Sequence, residues 1–323
     1  MVRGRGYVMT ITAGARPEIR HVYQNHHLDG PRWRRFAQRP GDIVISTSYK
    51  AGTTLMQTIV ANLLFPDGDL PLPANDLAPW IDMRLRPYEE MAAQLEAQTH
   101  RRCMKTHLPL DGLPFDEEVR YVVVSRDPRD VFMSLINHYS HYTEYTLEGL
   151  NGGDRVGDPF PRYGGDPHAL WRNWITRGWF PWESDGYPYW SHLHHAKTWW
   201  EFRHLPNITL VHYNDLRADL EGQMRSLAAW LDIYVPETAW PAVVHACRFE
   251  TVKADPSKVL GPAFDELFIG GAQTFINKGT NGRWKETLTA AESAEYEARA
   301  LAELGPECAH WLATGEYVER KPA

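Results

Sequence analysis

The chain has 323 residues, 43% hydrophobic and 23% charged, with a formal net charge of −7. That balance belongs to a soluble globular protein and argues against general nucleic-acid binding, which needs a basic face. No apolar run approaches the ~18 residues that cross a bilayer. Tyr7 to Ala13 is too short and mixed for a secretory leader, so a cytoplasmic protein without stable membrane insertion is expected. Cys103, Cys247 and Cys308 form no C-x-x-C pair and predict a reducing compartment without structural zinc.

Residues 1–40 are polar with little periodicity and read as an N-terminal arm. A strand over 42–47 then runs into a loop holding Lys50 and Gly52, and a helix over 53–65 opens on Thr53 and Thr54. The free N–H groups and dipole of that helix start, the Lys50 charge and the two hydroxyls make an anion site for a phosphate or sulfate. The loop is P-loop-like but not a P-loop: Lys50 precedes its only glycine, whereas G-x-x-x-x-G-K-[ST] places lysine after the second.

Four prolines make 66–79 a loop, and 86–98 reads as an amphipathic helix. A short strand over 101–106 leads to His107. The β-branched run over 121–125 is a strand covered on both faces, ending at Arg126, and Pro128 opens a helix to about residue 139. Residues 143–189 are rich in Gly and Pro, with a helical piece over 168–178. A helix over 190–204, a strand over 208–213 and helices over 214–231 and 237–246 follow. Residues 256–271 read as a loop, 275–284 as a polar, Gly-punctuated stretch, 290–303 as a helix and 311–323 as a tail. Many of the 13 tryptophans fall between Trp171 and Trp200. Core packing accounts for most of them, with an aromatic acceptor pocket or lid over 140–200 as the sharper reading.

Alternating strands and helices predict one α/β domain over 41–310, a central parallel sheet flanked by helices. Ligands of such sheets sit at the carboxyl ends of the strands. Lys50, His107, Arg126 and Tyr213 all follow predicted strands and converge on that edge.

In motif order, residues 40–300 resemble the PAPS-dependent cytosolic-type sulfotransferases, particularly bacterial ones. The family's phosphosulfate loop stands here as Tyr49-Lys50-Ala51-Gly52-Thr53-Thr54-Leu55, and its K-T-H-x-P segment as Lys105-Thr106-His107-Leu108-Pro109. The 3′-phosphate motif stands as Arg126-Asp127-Pro128-Arg129-Asp130 with Ser134, and the strand-end tyrosine segment as Tyr213-Asn214-Asp215. The C-terminal loop stands as Asn277-Lys278-Gly279-Thr280-Asn281-Gly282-Arg283-Trp284-Lys285. Leu55, Cys247 and Asn277 depart from the family's usual Trp, Thr or Ser, and Arg. Arg283 replaces a common acidic residue and offers part of the missing charge.

The resemblance implies in-line transfer of a sulfuryl group from PAPS to a hydroxyl or amine of a small aromatic or lipid-like acceptor. Adenosine 3′,5′-bisphosphate is released and no metal is needed. His107 is the implied general base, for which an ordinary histidine pKa of about 6.5 is suited. Lys50 and Lys105 act on the phosphate and sulfuryl oxygens, and the Lys50-Ala51-Gly52-Thr53-Thr54 loop cradles the 5′-phosphate. Arg126 and Ser134 hold the 3′-phosphate, and Ser134 also restrains Lys50 before the acceptor binds. Phe249 packs on the base, while Tyr213, Phe275, Asn277, Lys278 and Gly279 complete the donor side. Trp284 is a packing residue. A Mg-dependent P-loop kinase-like phosphotransferase, with Asp127 or Asp130 on the metal, and a non-catalytic nucleotide binder are the alternatives. The oligomeric state stays open, a homodimer included.

Overall fold

The computed structural model describes residues 15–153 and 155–318. Four strands, β1 (Ile43–Ser46), β2 (Cys103–Thr106), β3 (Arg120–Ser125) and β4 (Ile208–His212), form one sheet in the order β2-β1-β3-β4. All pairs are parallel, with Ile43 opposite both Cys103 and Arg120, and Tyr121 opposite Ile208. Successive side chains of a strand point to opposite faces. Accordingly Val44, Met104, Tyr121 and Val123 enter one hydrophobic cluster, while Ile43, Ile45, Cys103, Val122 and Val124 enter another. The unbroken apolar strands are what a sheet covered on both sides requires.

One face is covered by α1 (Thr53–Leu64), through Met56, Ile59, Val60 and Leu63. The other is covered by α2 (Pro128–Ser140), through Val131, Phe132 and Leu135, and by α3 (His192–Glu201), through Leu193, Ala196 and Trp199. Pro128 sits at the first turn of α2, where its missing N–H is harmless, and the Asp127 carboxylate accepts from Arg129 N at 2.9 Å. After β4 come α4 (Tyr213–Ala218) and α5 (Leu220–Trp230), and the chain closes with α6 (Ala290–Thr314).

Several expectations change here. The expected helix over 214–231 is broken at Asp219, whose carboxylate caps α5 by accepting from Gly222 N at 2.9 Å. Residues 15–40 are not a free arm. Tyr23, Leu28 and Trp33 are buried, and Arg32 donates to the carbonyls of Met83, Arg84 and Arg86. Polar residues mask this segment in the sequence because Asn25, His26 and His27 are themselves buried and internally bonded. Residues 1–14 of the expected arm lie outside the described residues.

Helix α6 breaks near the expected place, at Gly305 (φ +72°) before Pro306, but resumes and buries Trp311 and Leu312. The expected tail is therefore helical to Thr314, and residues 319–323 lie outside the described set. The Gly/Pro-rich stretch contains helices Glu144–Asn151 and Pro167–Thr176. Its last part is anchored by two buried carboxylates that accept backbone N–H groups at the start of α3: Glu183 from Ser191, and Asp185 from His192 and Leu193. Among the described residues no helix is long and apolar enough to cross a membrane.

Candidate active site

A cavity of about 1370 Å³ opens at the carboxyl edge of the sheet. Of the residues singled out in the sequence, Lys50, Gly52, Thr53, Thr54, Lys105, His107, Arg126, Ser134, Tyr213, Phe249, Phe275, Asn277, Lys278 and Gly279 all line it. Ala51 does not, because its side chain is buried in the core.

The loop geometry is that of an anion cradle. Gly52 is the residue before α1 and has φ +118°, a conformation that side chains disfavour. A Cβ there would lie 2.8 Å from Tyr213 Cδ2, so glycine also permits the close approach of the tyrosine ring. At Gly279 (φ +62°) a Cβ would lie 2.5 Å from the Phe249 ring, which seats the 277–283 loop on that phenyl group.

Lys50, Lys105, Arg126 and Arg283 are among the cations that line the cavity, and among the described residues none of these four is in an ion pair. Lys50 Nζ stands 3.3 Å from His138 Nδ1 and 4.1 Å from the centre of the Phe275 ring. Burial, then Lys105 and Arg126, push its pKa down to about 7. Lys105 donates to Asn75 Oδ1 at 3.2 Å, and burial lowers it to about 8, partly offset by Asp82 and Asp76. Arg126 donates to Asn281 Oδ1 from Nε (2.9 Å) and Nη2 (2.6 Å) and to Thr280 O (3.0 Å). It lies 4.3 Å over the Tyr213 ring. Arg283 repels Arg126, and its buried Nε has no hydrogen-bond partner among the described residues. Buried charge without a counter-charge is costly, so this end of the cavity is built for an anion.

An Arg126–Asp130 ion pair does not form; Asp130 instead accepts from Gly282 N at 2.7 Å. Nor does Ser134 hold Lys50 in this state. The Lys50 hydrogen bond goes to His138, one turn further along α2. Trp284 packs under the Arg129 guanidinium at 4.1 Å and does not line the cavity.

His107 is set by its backbone neighbour. Its Nδ1 lies 2.9 Å from the Thr47 carbonyl, a pure acceptor, so the proton is on Nδ1 and Nε2 keeps its lone pair. No hydrogen bond among the described residues uses Nε2. The expected ordinary pKa is not what the environment gives: burial first, then Lys105, push His107 down to about 3. The ring is therefore neutral at physiological pH. Trp80 meets it edge-on at 4.5 Å. That indole is fixed by Asp82, which also accepts from Trp33 Nε1 (2.8 Å) and Thr106 Oγ1 (2.7 Å).

Around His107 the wall is aromatic: Trp80, Tyr142, Tyr189, Trp190 and Phe268 line the cavity, whereas Trp171, Trp174 and Trp199 belong to the core. Within the aromatic stretch, then, some residues pack in the core while Tyr142, Tyr189 and Trp190 face the cavity. Sequence reasoning missed His138, His27, Tyr142, Trp80 and Asn75. His138 carried a usable signal, four residues after Ser134 on one helix face. Trp80 and Asn75 lie in or beside the proline-rich stretch and carried none. One cluster among the described residues has metal-ligand geometry, His21, Asp111 and His194, with ligand atoms within 4.8 Å of one another. It is away from the cavity, and Asp111 already accepts from Tyr23 and His194.

A sulfotransferase-domain family model matches residues 40–304. The glycolipid sulfotransferase of Mycobacterium tuberculosis (strain ATCC 25177 / H37Ra) is 32% identical over 310 residues, covering 92% of this chain and 95% of the relative. Retinol dehydratase, solved with androsterone and the inactive cofactor PAP, superposes with a TM-score of 0.63 at 22% identity, covering 85% of this chain and 86% of that one. Mouse SULT7A1, solved with PAP, gives 0.64 at 17% identity, covering 88% and 92%. At those identities the two structures bear on the fold alone.

Proposed function

The chain belongs to the sulfotransferase family, and from that premise we propose that it transfers a sulfuryl group from PAPS to the hydroxyl of a small, lipid-like acceptor. The observation that carries this reading is the pair of environments in one cavity: Lys50, Lys105, Arg126 and Arg283, which form no ion pair among the described residues, and beside Lys105 a neutral histidine set against aromatic side chains. The donor fits the residues present. Among the described residues Arg283 Nε is buried without a partner and Arg126 is bonded to neutral acceptors, and the bare Gly52 and Gly279 leave room where a Cβ would collide.

When bound, PAPS supplies an activated sulfuryl group and leaves as adenosine 3′,5′-bisphosphate. The N–H groups and hydroxyls of Thr53 and Thr54 hold the 5′-phosphate at the start of α1. Lys50 and Lys105 place charge on the oxygens where it develops, which is the main source of rate in such transfers. Arg126, Ser134, Lys278 and Arg283 hold the 3′-phosphate, with Asn277 beside them, and Phe249 and Tyr213 pack around the nucleoside. His107 Nε2 accepts the acceptor's hydroxyl proton.

The aromatic wall and the relative named as a glycolipid sulfotransferase favour a hydroxylated lipid or glycolipid. The test begins with calorimetric titration of adenosine 3′,5′-bisphosphate, 5′-AMP and metal-free ATP. Marked preference for the bisphosphate is expected, followed by sulfated product from PAPS and a glycolipid panel detected by mass. Equal binding of the three nucleotides would reassign Arg126 and Ser134.

A further inference from the structure

Behind Lys50 lies a row of polar groups that the transfer reaction does not use. His138 Nε2 is 2.9 Å from Tyr142 Oη, and Tyr142 Oη is 3.3 Å from His27 Nε2. His27 Nδ1 meets His26 Nδ1, and His26 Nε2 is 2.9 Å from the carbonyl oxygen of Pro188. Tyr189 adds a donor, its hydroxyl giving its proton to Tyr142 Oη at 3.1 Å. His27, His138, Tyr142 and Tyr189 line the cavity, and His26 is fully buried behind them.

The direction of every bond follows from one carbonyl. A carbonyl only accepts, so His26 carries its proton on Nε2. Burial keeps all three rings neutral, so His26 Nδ1 has a lone pair and His27 Nδ1 must donate to it. His27 Nε2 then accepts, and its donor is the Tyr142 hydroxyl. The two lone pairs of Tyr142 Oη are left for Tyr189 O–H and His138 Nε2–H. His138 Nδ1 is therefore a lone pair, and it faces the Lys50 ammonium at 3.3 Å. Every donor and acceptor in the row is used once, and no second arrangement of neutral rings satisfies it.

We propose that His26, His27, Tyr142 and His138 form a one-directional hydrogen-bond relay that fixes the His138 lone pair toward Lys50, making His138 the positioning residue of that lysine. Lys50 is surrounded by Lys105 and Arg126, which repel it, and among the described residues no carboxylate pairs with it. The relay supplies a fixed acceptor on its flank. A neutral nitrogen holds an ammonium in place yet releases it to a phosphate more readily than a carboxylate would. The kinetic consequence rests on the reading of Lys50 as a donor-side residue, whereas the relay itself does not.

The first test is long-range ¹H–¹⁵N correlation of the full chain with ¹⁵N-labelled histidine at neutral pH, without substrate. His26 and His138 are expected as Nε2–H tautomers and His27 as Nδ1–H. An Nδ1–H or protonated His138 would overturn the relay. In Lys50→Met the His138 Nδ1 resonance should move while its tautomer stays; an unmoved resonance would remove the contact. Tyr142→Phe should cost His138 its single tautomer.

In turnover, His138→Phe should lower kcat roughly 3- to 10-fold, the scale of one lost hydrogen bond, with KM for PAPS little changed. His138→Asn, whose Oδ1 reaches the place of Nδ1, should restore most of the rate at equal melting temperature. Equal damage in the two variants would mean that His138 does not act through Lys50. A protein that transfers no sulfuryl group would overturn the proposed function and leave the tautomers standing; wrong tautomers would do the reverse.

Discussion

His107 has one nitrogen committed and one free, because Thr47 O takes its only N–H, and that free nitrogen is the proposed base. His107→Ala should therefore lower transfer by about 100-fold or more, the usual reach of general-base catalysis, and leave bisphosphate binding nearly unchanged. Residual activity above a tenth of wild type would remove the base assignment. The lysines give a prediction with a sign. Burial lowers the Lys50 pKa to about 7 and the Lys105 pKa to about 8. An anionic donor favours their charged forms and raises both values, so binding takes up protons once these groups have begun to lose them. Affinity for adenosine 3′,5′-bisphosphate should thus fall as pH rises, by about tenfold or more between about pH 7 and pH 9. Titrations in buffers of different ionisation enthalpy should show proton uptake near about pH 8. A flat affinity with no uptake would mean that neither lysine meets the donor. Parking the cations on neutral partners, Lys50 on His138, Lys105 on Asn75 and Arg126 on Asn281, is what makes them available: no ion pair has to break first.

The strand-to-helix turn at Gly52 is where local conformation and ligand chemistry coincide. Gly52→Ala forces a side chain into φ +118° and pushes a Cβ to 2.8 Å from the Tyr213 ring. Such strain is worth about 1–3 kcal/mol, so bisphosphate affinity should fall roughly tenfold while the melting temperature drops by only a few degrees. Wild-type affinity in that variant would show that the turn is not part of the donor site. This turn was legible in the sequence because three strong signals overlap there: a β-branched strand, a glycine and a hydroxyl-rich helix start. The same holds for β3 and α2, where the run Tyr121–Ser125 and Pro128 fix both ends of the connection. Elements built by polar burial were not legible. Asp82 collects two indole N–H groups and a hydroxyl, and so brings Trp80 against His107, but an aspartate just after a proline-rich stretch reads as surface. His26 and His27 hide in the same way, since a buried neutral histidine and an exposed charged one look identical in a sequence.

Across the whole molecule, the end of the described chain is tied to the proposed donor site by a row of side-chain contacts. Asn214 Nδ2 donates to Thr314 O at 2.9 Å, and Asn214 Oδ1 accepts from Asn281 Nδ2 at 2.6 Å. Asn281 Oδ1 in turn holds Arg126. His212, the last residue of β4, donates from Nε2 to Leu312 O at 3.1 Å. The second half of α6 therefore stands behind Arg126, and Trp311 and Leu312 bury it against the core. Ending the chain after Leu304 removes those two side chains, and each large-to-small loss in a core is worth about 2–5 kcal/mol. Together they approach the whole stability of a typical domain, so cooperative thermal unfolding should be lost. A truncated chain that melts like the full one would show that the C-terminal turns are dispensable. Asn214→Ala separates the link from the packing, because it leaves Trp311 and Leu312 in place. It should weaken bisphosphate binding by roughly 3- to 10-fold, the scale of one hydrogen bond, with a nearly unchanged melting temperature. Unchanged affinity would mean that Asn281 holds Arg126 without support from the C-terminal helix.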